Sequence, residues 1–198
     1  MKIYGKAFKR RSPLIVILSE VWLARCRKWA DDLVTYYEEQ RRLGHPDSNV
    51  ELGIEKDPVR LAQSKAAEVA FALWLKLDPD QAVNWTLRPD AGNDLRKNHL
   101  RFDVKSCEMD KRYLIWPRLK VHKYDAAQFD LLVLVKHAVP VFLIHAYTSK
   151  AYFKQFKLVA GPHDILLPGT WFMHEEDLWD HRDLLDLLHS MEGQNAST

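Results

Sequence analysis

Apolar residues recur along this chain with two periods, and the switches between them divide it into elements. Residues 14–18 form a short unbroken apolar run that reads as a strand. From Ser19 the spacing turns helical and stays so to about Arg42, with Ser19 as N-cap, Glu20 at the positive end and Gly44-His45-Pro46-Asp47 as the stop. Asp57-Pro58 opens a second helix that runs to about Leu77 and closes at Asp78-Pro79. Residues 82–87 read as a strand, 88–92 as a turn, and 93–107 as a β-hairpin turning at Lys97, Asn98 and His99. A short apolar run at 113–116 and a helical turn at 125–128 come next. Residues 131–135 and 141–147 then form continuous apolar runs, typical of strands buried on both faces. Residues 149–156 predict a short helix, 165–167 sit in a loop, 171–173 an edge strand, 177–189 a helix and 194–198 a disordered tail. Buried strands among helices make an α/β fold with a mixed sheet covered by helices.

The length of 198 residues suits a single domain over 1–190, and 47% hydrophobic with 11% aromatic residues supplies a sizeable core. The net charge of +2 is nearly neutral but unevenly spread: basic residues crowd the first 28 positions, and acids crowd 175–186. A basic front end suits a polyanion, although the whole-chain charge is far from that of a nucleic-acid-coating protein. Two cysteines without paired spacing exclude a disulfide framework and a cysteine zinc site, which fits a reducing compartment. The run at 14–18 is shorter than a secretory core and nothing approaches a membrane span, so the expected location is cytoplasmic.

Three features bear on chemistry. Along the first helix Trp22, Trp29, Tyr36 and Tyr37 interleave with Arg25, Arg27 and Lys28; a base-stacking surface is one reading, and an aromatic packing face with solvated cations is the preferred one. In the second helix Glu68 shares a stripe with Leu61, Ser64, Phe71, Ala72 and Leu75. An acid on an apolar face must be paired, protonated or metal-bound, and an ion pair with a Lys or Arg is as good an account as a metal. In the hairpin, Phe102 and Val104 alternate with Arg101, Asp103, Lys105 and Cys107, which places Asp103 and Lys105 on one face with Asp94 across the turn. Two acids and a lysine in one place suit a hard dication and the hydrolysis of a phosphodiester. Taken alone, however, such a pattern is more often a solvated sheet face with an ordinary ion pair.

The order of these elements changes that balance. A helix carrying Glu68, a strand, a hairpin carrying Asp94 and then Asp103-Val104-Lys105, and a central strand together resemble the PD-(D/E)xK nuclease superfamily, the restriction-endonuclease-like fold, over about residues 57–148. The resemblance implies a core of αβββαβ order at 57–148, an N-terminal strand-helix extension at 1–56, C-terminal elements at 149–190 and a disordered tail at 191–198. It further implies a nuclease, with DNA as the expected substrate and RNA left open, acting alone, as a homodimer or in a larger nucleoprotein assembly. Glu68, Asp94 and Asp103 would hold Mg²⁺, for which Mn²⁺ would substitute; Val104 would add its carbonyl and Lys105 would position the attacking water. The named proline-aspartate pair occurs at Pro89-Asp90, four residues early, so Asp90 competes with Asp94, which is preferred because it lies on the hairpin. Arg101, Lys111, Arg112, Lys120, His122 and Lys123 cluster nearby as phosphate contacts. No G-x-S-x-G, P-loop or G-x-G-x-x-G occurs, and His174-Glu175-Glu176 lacks a second zinc-helix histidine.

Overall fold

The computed structural model describes residues 14–44, 57–87, 93–111, 113–116, 127–155 and 171–195. The strands are β1 (Leu14–Ile17), β2 (Leu95–Lys97), β3 (Leu100–Glu108), β4 (Tyr113–Trp116), β5 (Leu131–Ala138), β6 (Val141–Ser149), β7 (Trp171–His174) and β8 (Trp179–Asp180). The helices are α1 (Glu20–Arg42), α2 (Pro58–Trp74), α3 (Pro79–Ala82), α4 (Lys150–Phe153) and α5 (His181–Asn195). The main sheet runs β1-β6-β5-β3-β2, with β8 also paired to β6, while β4 and β7 form a separate two-stranded sheet. Among the described strands only β3 and β5 run parallel and the other pairs are antiparallel, so the fold is mixed α/β as the apolar runs indicate.

The two faces of the main sheet are covered differently. On the first face Phe102, Val104, Leu131, Val133, Val135, Phe142 and Ile144 pack with α1, α2 and Leu184 and Leu188 of α5. On the second face Leu132, Leu134 and Ala146 pack with Phe129, Phe153, Met173 and Leu178. Helix α2 starts where the sequence indicates because Asp57 accepts hydrogen bonds from the Val59 and Arg60 amides and Pro58 needs no donor.

Three boundaries differ from the sequence reading. Residues 82–87 form no strand: Asp78 caps a further helical turn by accepting from the Asp80 amide, and Asn84 Oδ1 then accepts from both the amide and the hydroxyl of Thr86. Such an Asx arrangement gives the backbone an alternative to a ladder, so the three-strand run of the αβββαβ order is here a two-strand hairpin. The last helix begins later, at His181, because Trp179 and Asp180 pair with β6. That helix also continues to Asn195, into the stretch read as tail. The expected loop at 165–167 and the first half of the helical turn at 125–128 lie outside the described residues.

The aromatic face of α1 is a packing face. Trp22 stacks on Trp85 at 6.3 Å, Trp29 donates its indole N–H to the Thr86 carbonyl at 3.4 Å, and Arg25 lies 4.1 Å over the Trp85 ring. Among the described residues no helix is long and apolar enough to cross a membrane.

Candidate active site on the β2–β3 hairpin

The hairpin is set by its turn. Asn98 and His99 both take positive φ, 49° and 66°, the combination that a two-residue turn needs to match the twist of its strands. Pairing then runs Lys97 to Leu100, Arg96 to Arg101 and Leu95 to Phe102. The ladder ends at Leu95, and there the Asp94 amide also donates to the Phe102 carbonyl at 2.7 Å. The Asp94 carboxylate takes over the ladder at this point, with Oδ2 accepting from the Val104 amide at 2.6 Å. The N–H and C=O of one strand residue share an edge, so the Val104 carbonyl also faces the Asp94 side. Its side chain is buried in the core of the first face.

Asp103 is only 7% exposed. Lys105 Nζ lies 2.5 Å from its Oδ2, and the lysine keeps about a third of its side chain in solvent. The Asp94 carboxylate on the Val104 amide and the Lys105 ammonium on the Asp103 carboxylate thus flank one short stretch of β3. An ammonium held against a buried carboxylate stands where a metal cation would be attracted, so this donor set is chemically suited to a hard dication.

Glu68 does not join this group, which corrects the expectation that α2 faces Asp94 and Asp103. Phe71 of α2 meets Phe102 edge-on at 5.2 Å, and Ser64 lies 3.2 Å from Ser106. The even positions of β3 thus face α2, and alternation sends Asp103, Lys105 and Cys107 to the opposite face, where Cys107 packs against the second cluster. Glu68 Oε2 instead receives Lys65 Nζ at 2.6 Å, one helical turn away. Lys65 also donates to the Asn84 carbonyl at 3.0 Å and sits 4.2 Å over the Trp29 ring. The acid on the apolar stripe has a structural partner.

Among the expected phosphate contacts, Arg101 is committed elsewhere. Its Nε and Nη2 reach the two Asp130 oxygens at 3.1 and 2.9 Å, and its amide donates to Oδ2 at 2.9 Å, tying the hairpin to the start of β5. These bonds hold the Asp130 carboxyl below its ordinary value. Lys111 lies past the end of β3, 3.5 Å from Asp110. Asp90, Arg112, Lys120, His122 and Lys123 lie outside the described residues.

A second polar cluster on the same face escaped the sequence reading. Buried Lys136 pairs with Glu175, whose Oε2 also lies 3.1 Å from His145 Nε2. Burial, reinforced by Lys136, pushes the His145 pKa down. The only local signal was a lysine ending the apolar run of β5. Among the described residues no three histidine, cysteine, aspartate or glutamate side chains form a group that could hold a metal ion. Comparison with protein-family models, with curated proteins and with solved structures finds no match to this chain.

Proposed function

We propose that the chain is a metal-dependent nuclease of the PD-(D/E)xK type acting on DNA, with its site at Asp94, Asp103, Val104 and Lys105. The observation that carries this reading is the buried Asp103 beside Lys105, adjacent to the Val104 amide that Asp94 accepts from, on a hairpin whose second strand runs parallel to the central strand β5. Asp94, Asp103 and the Val104 carbonyl would hold Mg²⁺ or Mn²⁺; two carboxylates suffice where water and phosphate oxygens complete the shell. The ion supplies charge neutralisation at the scissile phosphate and a more acidic bound water. Lys105, released from Asp103, would then orient the attacking water from the solvent side. Glu68 has no part in this site, and the Val104 side chain fixes the strand by its burial.

The test is cleavage of plasmid, linear, single-stranded and branched DNA by the purified chain with Mg²⁺ or Mn²⁺. Cutting that is lost in Asp103→Ala and Lys105→Ala supports the proposal; no cutting of any substrate, or undiminished cutting by both variants, overturns it. The ion pair favours one other reading, because Lys105 already neutralises Asp103 without a metal. A DNA-binding or assembly protein retaining the fold would bind DNA in a salt-sensitive way and leave it intact at every metal concentration.

A further inference from the structure

Among the described residues the outer edge of the main sheet is apolar and carries no further strand. Strand β1 pairs with β6 on one side only, through Leu14 to Ile144, Ile15 to Leu143, Val16 to Phe142 and Ile17 to Val141. Among the described residues no strand takes its other side. Its four side chains, Leu-Ile-Val-Ile, include no charge, proline or bulge of the kind that blunts free edges. Leu14, Ile15, Ile17 and Val21 are 41, 58, 69 and 76% exposed. The apolar surface continues at the sheet end, where the Leu18 amide donates to the Pro140 carbonyl and Val139 borders a cavity of about 370 Å³ lined by Leu23, Val59 and Ala62.

We infer that β1 pairs antiparallel with β1 of a second copy, extending the sheet across a two-fold axis. The face rule selects the register. Val16 packs toward the core while Ile15 and Ile17 point to the other face, and opposed residues in a ladder must share a face. An axis at Val16 meets this condition: Val16 opposes Val16 of the partner subunit, and Ile15 opposes Ile17 of the partner subunit. Four exposed isoleucines then form one cluster, and the strand matches itself without a polar or charged mismatch, as an isologous interface requires. With Val21 at the start of α1 included, the exposed apolar side chains of the two copies together offer on the order of 1,000 Å², the lower bound for a specific interface.

Light scattering and sedimentation of the full chain test this without DNA or metal, so the result is independent of the nuclease reading. The expected mass is that of two chains, falling to the 23.2 kDa of one in Ile17→Lys and in Ile15→Lys, each with an unchanged circular dichroism spectrum. Should either lysine variant fold poorly, Val16→Cys reads the register directly, because residues opposed across a two-fold lie within disulfide reach. It is expected to cross-link on mild oxidation under conditions in which the parent chain does not. A parent chain that sediments as one copy at every concentration, or a dimer that survives both lysine variants and leaves Val16→Cys uncross-linked, overturns the inference.

Discussion

Two lysine–carboxylate pairs lie on opposite faces of the same sheet, and they differ in what surrounds them. Lys65 and Glu68 sit 2.6 Å apart with side chains 6 and 11% exposed, and Lys65 is further held by a backbone carbonyl and an indole ring. Lys105 and Asp103 sit 2.5 Å apart, but the lysine is 30% exposed. A charge pair enclosed on all sides is fixed by the cost of removing either member, whereas one open on the ammonium side can exchange its cation. The first pair joins α1, α2 and the loop after α3. The second is open to solvent on its lysine side.

The largest expected effect lies at the open pair. If the proposed site is the active one, Asp103→Ala should lower metal-dependent cleavage by about 100-fold or more, since it would remove a ligand and the charge that organises the site. Lys105→Ala should do the same with metal affinity largely retained, which isothermal titration with Mn²⁺ would separate from the loss of a ligand. Equal cleavage by Asp103→Ala would erase the functional half of the contrast.

At the closed pair the expected readout is stability. Glu68→Ala leaves a buried ammonium without its carboxylate, held only by the Asn84 carbonyl and the Trp29 ring, and should cost up to about 3–5 kcal/mol in urea unfolding. The double variant Lys65→Met with Glu68→Leu, which replaces both charges by apolar groups of similar size, should recover most of that loss. Cleavage per folded molecule should change little in the double variant. A fall comparable to that of Asp103→Ala would return Glu68 to the catalytic group.

Much of the architecture was legible because period and length speak together. The 23 residues of α1 and the apolar runs of β5 and β6 leave no alternative element. Residues 82–87 misled because apolar alternation there is weaker than the capping of Asp78 and the side-chain hydrogen bonds of Asn84. Glu68 was correctly marked as an acid needing a partner, but the partner was Lys65, three positions back on the same helix. Which face of β3 meets α2 is decided by Phe71 against Phe102, a contact 31 residues apart in sequence that no local pattern records. The Asp103–Lys105 grouping survived because strand alternation alone places both on one face.

A smaller effect tests the clamp beside the open site. Arg101 holds Asp130 with three hydrogen bonds, and that carboxyl titrates below its ordinary value, first because of the side-chain bonds from Arg101. A group whose pKa is lowered on folding binds its proton more readily when unfolded, so its contribution is complete above the unfolded value and fades as pH falls through the folded one. Arg101→Gln should therefore lower the urea midpoint slightly at neutral pH, and the gap from the parent chain should narrow in acid below the ordinary aspartate range. Cleavage should change by less than about threefold, since the guanidinium is engaged with Asp130 and a half-exposed pair contributes little on its own. A steep loss of DNA affinity in Arg101→Gln, with an unchanged urea midpoint, would show that the arginine leaves Asp130 for phosphate, and that the clamp and the site act as one surface.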